Sequence, residues 1–450
     1  MNILPILIIA IFVFVPFSLF SNQEYVFICI LLIISYLSIY KKKGWSILIL
    51  SILYCLPYSG GLSENGLKQL SDVMWLPYNI IRILILIVFF QYYFFLKIKN
   101  KILNKSFVLF ILLLIVAIFF FINTNNYNEI LDLITWFMFS YLVIYITQID
   151  KVELKTSLLY IDIIFYCTIF HVILEFVFHN SPYQILYANF KSESDIQAKG
   201  LLGHPLVLSS FFILYQVALY CKAILYNKFP YVNFILLIIA TLMTASRTNI
   251  ILFILAFIYF YISEGKHKRV YNNIKFIFLI IISFIIIKLS FSNYMENSID
   301  RFKTGSTSHR LGAYDVTFKV FSKNPLGVGI TNFKKEISDI NYGFSTLYDK
   351  ELPLLDNLYL TYICQYGLFS LIYLSLYFYP LYYYRKLLIC RENLKVYKVM
   401  ILLYVIWFLQ NFSFDTGLYS PINYFFFFLI ALLGQQLKEN IKFNLLHLQQ

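Results

Sequence analysis

The residue in this chain with the clearest capacity for chemistry is Arg247, in the run Thr244-Ala245-Ser246-Arg247-Thr248 between two long apolar blocks. A planar, permanently charged guanidinium with hydroxyl neighbours can grip a phosphate through two parallel hydrogen bonds. The same residue also fits a turn arginine whose stem lies along apolar surface while its head reaches water. Arg82 sits inside another apolar block, as do Asp132, Asp162, His171, Glu175 and Lys288. Ionisable groups in such blocks are costly, so each is a functional candidate. His171 and Glu175 are four residues apart and share a helix face, which suits either a proton relay or a structural hydrogen bond. A polar segment carries Arg301, His309 and Arg310, followed by Asn324-Pro325-Leu326-Gly327-Val328-Gly329. Proline followed by two glycines makes a tight turn whose backbone can approach a ligand closely. A phosphate loop of the Gly-Lys-Ser/Thr kind is absent. The segment leaves through Asp356-Asn357-Leu358-Tyr359-Leu360. Asp356 at the lip of a cavity can serve as a general base toward a hydroxyl. It can equally cap the helix that follows.

The elements that position these residues are set by composition. Of 450 residues, 60% are hydrophobic and only 13% charged, against about half and a quarter in soluble domains. The apolar residues come in blocks long enough to cross a bilayer. The expectation is an all-α polytopic integral membrane protein, a single membrane domain over 1–450, with about fourteen transmembrane helices by the twenty-residue criterion. They fall near 3–20, 25–40, 44–58, 79–96, 106–122, 129–148, 156–178, 201–221, 231–246, 248–263, 274–291, 354–380, 399–413 and 420–434, with 231–263 readable as one bent segment or two short ones. Basic clusters test the count. Lys41 to Lys43, the Lys97–Lys105 group, Lys151 with Lys155, Lys222 with Lys228, Lys266 to Arg269, the Arg385–Lys398 group and Lys438 with Lys442 follow alternate spans. All fall on one side, which the positive-inside rule makes cytoplasmic, together with both termini. The other side then holds 179–200 and one long extracytoplasmic loop, 292–353.

The net charge of +13 belongs to those loops and does not point to nucleic acid. Six cysteines are scattered without a CxxC pair, so they read as packing residues and not as a metal or disulfide framework. The first apolar block lacks a charged leader and a small-residue cleavage site, and reads as a retained helix.

Four stretches, in order, resemble the O-antigen ligase and O-antigen polymerase superfamily. Gly200-Leu201-Leu202-Gly203-His204-Pro205 is similar to its Gly-x-x-x-His-Pro start of a span, and Thr244-x-Ser246-Arg247-Thr248 to its Thr-x-Ser-Arg turn. Arg310 through Pro325-Leu326-Gly327-Val328-Gly329 resembles its loop motif, an arginine ahead of an amphipathic stretch and a Pro-Leu-Gly-x-Gly turn. Asp356-Asn357-x-Tyr359-Leu360 with Gly367 resembles its His-Asn-x-Tyr-Leu helix start. Ligases carry histidine where this chain has Asp356, and an acid there suits a polymerase. Arg301 and Gly312 fit the arginine-x10-glycine spacing of polymerase loops.

The resemblance implies a glycosyltransferase of the bacterial inner membrane that needs no metal, nucleotide or other cofactor. Its partners would be the bilayer, an undecaprenyl-pyrophosphate-linked oligosaccharide donor and acceptor, and a chain-length regulator. It would join repeat units of O-antigen, capsule or exopolysaccharide on the outer face. Asp356 would take the acceptor proton, and attack opposite the leaving group would invert the anomeric carbon. Arg247 and Arg310 would stabilise the departing pyrophosphate. Arg82, Arg301, His204, Ser246, Asn357, Tyr359, Gly327 and Gly329 would bind substrate. Two other readings stand beside the polymerase: a ligase that hands the glycan to a different acceptor, and a flippase for the same lipid-linked glycan. A flippase has no need of an ordered outer loop bearing arginines.

Overall fold

The computed structural model describes residues 4–20, 47, 50, 51, 101–125, 141, 143, 144, 147, 154–178, 198–244, 246–264, 307–341, 355, 357–388, 391–414 and 420–448. These form helices and no strands. In chain order they are α1 (Leu4–Phe20), α2 (Lys101–Thr124), α3 (Leu154–Phe178), α4 (Pro205–Tyr226), α5 (Tyr231–Met243), α6 (Arg247–Glu264), α7 (Thr307–Lys323), α8 (Gly329–Asn341), α9 (Leu358–Tyr366), α10 (Ser370–Arg385), α11 (Arg391–Ser413) and α12 (Ser420–Leu448). Single 3-10 turns at Gly200–Leu202 and Gly367–Phe369 precede α4 and α10. Among the described residues, four stretches are long and apolar enough to cross a membrane: Leu154–Glu175, Pro205–Tyr226, Leu358–Arg385 and Asn393–Ser413. The expected spans at 25–40, 79–96 and 274–291 lie outside the described residues, and those at 44–58 and 129–148 almost entirely so. The stretch 231–263 is two helices. They part at Thr244, whose hydroxyl bonds back to the Thr241 carbonyl at 2.7 Å.

Two helices form the centre. Val207–Cys221 of α4 and Pro421–Gly434 of α12 are buried on every side, as a helix apolar all round must be. α4 touches α3, α5, α6, α11 and α12, so elements far apart in sequence share it as a common wall. Between α10, α11 and α12, aromatic rings fill the space. Tyr377 lies 4.2 Å from Trp407, and Trp407 lies 4.8 Å from Phe426, centroid to centroid. Offset rings at this spacing add to the burial itself.

Several polar groups inside this core are paired across helices. Asp162 on α3 accepts from the Tyr215 hydroxyl at 2.7 Å and forms an ion pair with Lys222, both on α4. Asn233 on α5 donates to the Tyr215 hydroxyl at 2.8 Å and accepts from Tyr166 at 2.7 Å. Asp162 is thus a staple joining three helices. Lys222, expected in a cytoplasmic loop after its span, lies within α4, which runs on to Tyr226. A lone Asp162 charge at that depth is costly, and the lysine beside it offsets the cost.

A second, smaller core lies apart from the first. Ala313, Val316 and Val320 of α7 pack with Phe333 and Ile337 of α8 and with Leu355, Leu360 and Cys364 around α9. The described part of the 292–353 loop is therefore a helical hairpin with its own apolar interior. The turn between α7 and α8 locks it onto the break between α9 and α10. Leu368 N donates to Pro325 O at 3.0 Å, and Val328 N donates to Cys364 O at 3.1 Å. The two strands of chain meet glycine to glycine, with Gly327 at φ +93° and Gly367 at φ +52°. A Cβ on Gly327 would stand 2.6 Å from the Tyr366 carbonyl carbon, and one on Gly367 would stand 2.5 Å from Gly327 N. Gly312, within α7, has nothing within 4 Å of its added Cβ.

Gly367→Ala and Gly327→Ala should each destabilise the protein by more than the ~1–2 kcal/mol that left-handed backbone alone costs a residue with a Cβ. Gly312→Ala should stabilise it by about 0.5–1 kcal/mol, since Gly is a poor helix residue. Thermal unfolding of the purified variants in detergent checks this. Equal midpoints for Gly367→Ala and Gly312→Ala would show that the latch is not a tight contact.

Candidate active site at one end of the bundle

Three of the four sequence motifs lie at one end of the bundle: two touch the end of α11 directly, and Asn249, next to the other, is bonded to it. The first motif leads into α4. A residue before proline is restricted to extended backbone, and His204 has φ −140° and ψ 129° as the N-cap, with Pro205 at the first helical position. The His204 ring stacks on Phe414, just past α11, with centroids 5.2 Å apart and planes 2° from parallel. Upstream, the Glu175 carboxylate at the end of α3 accepts from Lys199 N at 3.0 Å and Gly200 N at 2.8 Å. Ala198 N donates to Met243 O at 3.0 Å, tying this segment to the end of α5. His204 precedes the spanning helix, and burial, then the Lys199 ammonium, hold its imidazole down at about 4. It is neutral at pH 7 and a poor proton acceptor there.

The proton relay considered for His171 and Glu175 is not what the geometry builds. Glu175 is engaged with backbone N–H groups of the α4 approach, and His171 Nε2 lies 3.2 Å from the Phe12 carbonyl of α1. The two residues share a helix face but serve different neighbours, and both act as structural ties.

The second motif starts α6. Thr244 and Ser246 are buried, at 0% and 3% exposure. The Ser246 hydroxyl has no hydrogen-bond partner among the described residues, while its carbonyl accepts from Ile250 N at 3.0 Å. Arg247 is the first residue of α6. One turn in, Asn249 donates from Nδ2 to the Ser209 hydroxyl of α4 and accepts at Oδ1 from Gln410 Nε2 of α11 at 3.0 Å.

The third motif starts α9. Asn357 caps it, its Oδ1 accepting from Tyr359 N at 3.0 Å and Leu360 N at 3.2 Å, and its Nδ2 donates to Phe412 O at 3.2 Å. Asp356 lies outside the described residues, but the capping role weighed for it is filled by its neighbour. Tyr359 donates to Phe408 O at 3.0 Å and packs its ring 4.7 Å from Phe412. It joins α9 to α11.

The fourth motif is placed by its helix. Arg310 lies in the first turn of α7, one turn ahead of Ala313, and α7 packs along α9. Gly327 makes its close approach to the backbone at Gln365 and Tyr366 of the same chain. Gly329, at φ +80°, begins α8. Arg82 and Arg301 lie outside the described residues.

Residues 232–375 match the sequence profile of the O-antigen ligase family. This match supports the resemblance to the O-antigen polymerase and ligase superfamily. The matched segment runs from α5 to α10 and holds the second, third and fourth motifs. No curated protein sequence matches the chain. The superfamily is one of glycan-transferring membrane enzymes, in keeping with four helices able to cross a bilayer.

Sequence reasoning missed the residues that gather the site. Ser209, Asn249, Gln410, Phe412 and Phe414 are uncharged, and an apolar span tolerates such residues without a visible break. The signal that was available is the run Gln410-Asn411-Phe412-Ser413-Phe414-Asp415, which is more polar than an ordinary span end.

Asn357→Ala should lose both the cap, about 1 kcal/mol, and the partner of a buried carbonyl, roughly 1–3 kcal/mol. Asn357→Asp keeps the acceptor and should lose only the second part. Thermal midpoints of the two variants rank them. An Asn357→Ala protein as stable as the native one would remove Asn357 from both roles.

Proposed function

We propose that the chain is a polymerase that joins undecaprenyl-pyrophosphate-linked oligosaccharide units into a bacterial surface polysaccharide on the outer face of the inner membrane. The observation that supports this reading is that His204 and Asn357 meet the end of α11 directly, while Asn249, the residue after Thr244–Thr248, meets it through Gln410. These motifs are separated by about forty and about a hundred residues in sequence, and the fold brings them to one place. The donor is amphiphilic: a polyprenyl tail, a pyrophosphate and a sugar. A site at the end of a membrane bundle suits it, because the tail can stay in lipid while the pyrophosphate reaches polar groups.

In the proposed reaction the acceptor hydroxyl oxygen attacks the anomeric carbon of the donor sugar. The bond from that carbon to the pyrophosphate oxygen breaks, and the electron pair leaves with the polyprenyl pyrophosphate. Asp356 takes the hydroxyl proton. Arg247 and Arg310 stabilise the charge that develops on the leaving group, where preorganised donors in a low-dielectric site are most effective. The buried Ser246 hydroxyl, unpartnered among the described residues, is a further donor toward a phosphate oxygen. Neutral His204, held flat on Phe414, presents a hydrogen-bonding edge without adding charge.

The matched profile is that of O-antigen ligases, so a ligase is the second reading. Asp356 in place of a ligase histidine favours the polymerase. Deleting the protein and analysing the surface glycan separates the readings. Glycans carrying a single repeat unit mean polymerase, free polymer on its lipid carrier means ligase, and units trapped inside the cell mean flippase.

Extension of purified lipid-linked units, at equal protein, tests the residues. Arg247→Ala and Arg310→Ala should each cost on the order of 10²–10³ in rate, and lysine should rescue poorly because the forked geometry is lost. Asp356→Asn should cost about 10²–10⁴ without loss of stability, since Asn357 holds the cap. Native rates in the lysine variants would reduce the arginines to bulk charge, and a native rate in Asp356→Asn would move the base elsewhere.

A further inference from the structure

We infer that Asn249 is a positioning residue for the leaving-group site: clamped between Ser209 and Gln410, it fixes the rotation of the first turn of α6, the turn that begins with Arg247. This rests on the reading of Arg247 as the residue that meets the departing pyrophosphate.

The geometry is specific to Asn249. It is 3% exposed and uses both ends of its amide, Nδ2 toward Ser209 and Oδ1 toward Gln410. Ser209 passes its own proton on to the Leu206 carbonyl at 2.9 Å, in the first turn of α4, two residues past His204. Gln410 sits in the last turn of α11, and its carbonyl accepts from Phe414 N at 3.1 Å and from the Ser413 hydroxyl at 2.9 Å. Phe414 is the ring beneath His204, and Phe412, two residues before it, supplies the carbonyl that holds Asn357. One amide therefore couples the start of α4, the start of α6 and the end of α11.

Positioning matters more here than extra stability. α6 otherwise presents apolar side chains to its neighbours: Leu252, Phe253, Ala256 and Phe260 form its buried face. Apolar burial is non-directional, and the other bond from α4 to α6, Gln216 Nε2 to Phe253 O at 2.9 Å, lies about one turn beyond the first. A directional pair of hydrogen bonds in the first turn removes that freedom where it affects the site. Position 247 is two residues from position 249 in the same turn, so a rotation of that turn moves both.

The test uses the full-length protein in lipid nanodiscs, with extension of lipid-linked units as the assay. Polyprenyl pyrophosphate, the product that the proposed reaction releases, is the inhibitor. An inhibition constant does not depend on how much of the enzyme is folded, so a merely structural loss cannot move it. The variants are Asn249→Leu and the double variant Asn249→Leu/Gln410→Leu. The double variant removes both polar partners together, which is close to neutral for stability, whereas Asn249→Leu alone leaves a buried amide unpaired. The expected result is a double variant that unfolds at the native temperature yet shows an inhibition constant raised about tenfold and a rate lowered about tenfold, with little further loss when Arg247→Lys is added. A native inhibition constant in the double variant overturns the inference and leaves Asn249 a packing contact. A tenfold loss that simply multiplies with that of Arg247→Lys also overturns it, because Asn249 then acts through something else. If Arg247→Ala itself leaves rate and inhibition unchanged, the proposed role of Arg247 has failed instead.

Discussion

A helix ends with backbone carbonyls that no residue of its own can satisfy, and at the end of α11 those carbonyls organise the site. Phe412 O is taken by the Asn357 amide, and Gln410 O by Phe414 N and the Ser413 hydroxyl. Further in, Phe408 O takes the Tyr359 hydroxyl. In an apolar surrounding, an unmet carbonyl costs far more than it would in water. Each of these acceptors therefore pins whatever donor reaches it. The donors to Phe412 O and Phe408 O belong to the start of α9, while the start of α6 is held by the Gln410 side-chain amide, which donates to Asn249. A helix end that would elsewhere be left to water thus sets where two motif-bearing helices begin.

The rest of the molecule makes that end rigid. α4 and the apolar half of α12 are buried all round, so the helices bearing the motifs lean on a core that has little room to shift. Asp162, Lys222, Tyr215, Asn233 and Tyr166 bind α3, α4 and α5 by directional contacts. The α7–α8 hairpin carries Arg310 on a separate small core and is fastened by backbone bonds at Pro325 and Val328. The interlocked glycines at 327 and 367 leave no space for sliding between the hairpin and α9.

Much of this was legible in the sequence, and the exceptions have physical causes. Apolar blocks located α1, α3, α4, α5, α6, α11 and α12 because lipid-scale helices leave an unbroken signal. The break before Arg247 stayed open in the sequence, because Thr244 and Ser246 interrupt that signal only briefly. Which of two adjacent capping residues takes the cap was not legible: Asp356 and Asn357 are equally suited by type, and a one-residue register decides it. Lys222 was misplaced because a lysine near a span end usually reaches for water, and only the fold brings Asp162 to meet it. Gln410 and Asn249 were overlooked because uncharged amides interrupt a hydropathy pattern weakly, and their pairing spans 161 residues of sequence. The turn at Gly327 reads from sequence as a close approach to a ligand, whereas its close neighbour in the fold is the backbone at Gln365 and Tyr366.

The central claim is that the ends of α5 and α11 and the starts of α4, α6 and α9 form one site for a lipid-linked pyrophosphate. An experimental structure of the full chain in lipid with polyprenyl pyrophosphate bound tests it most directly. The account predicts pyrophosphate density within hydrogen-bonding distance of Ser246 and beside His204, with the prenyl chain running along the bundle into the bilayer. Density at the opposite end of the bundle, near the Asp162–Lys222 pair, with the Ser246 end unoccupied, would contradict it.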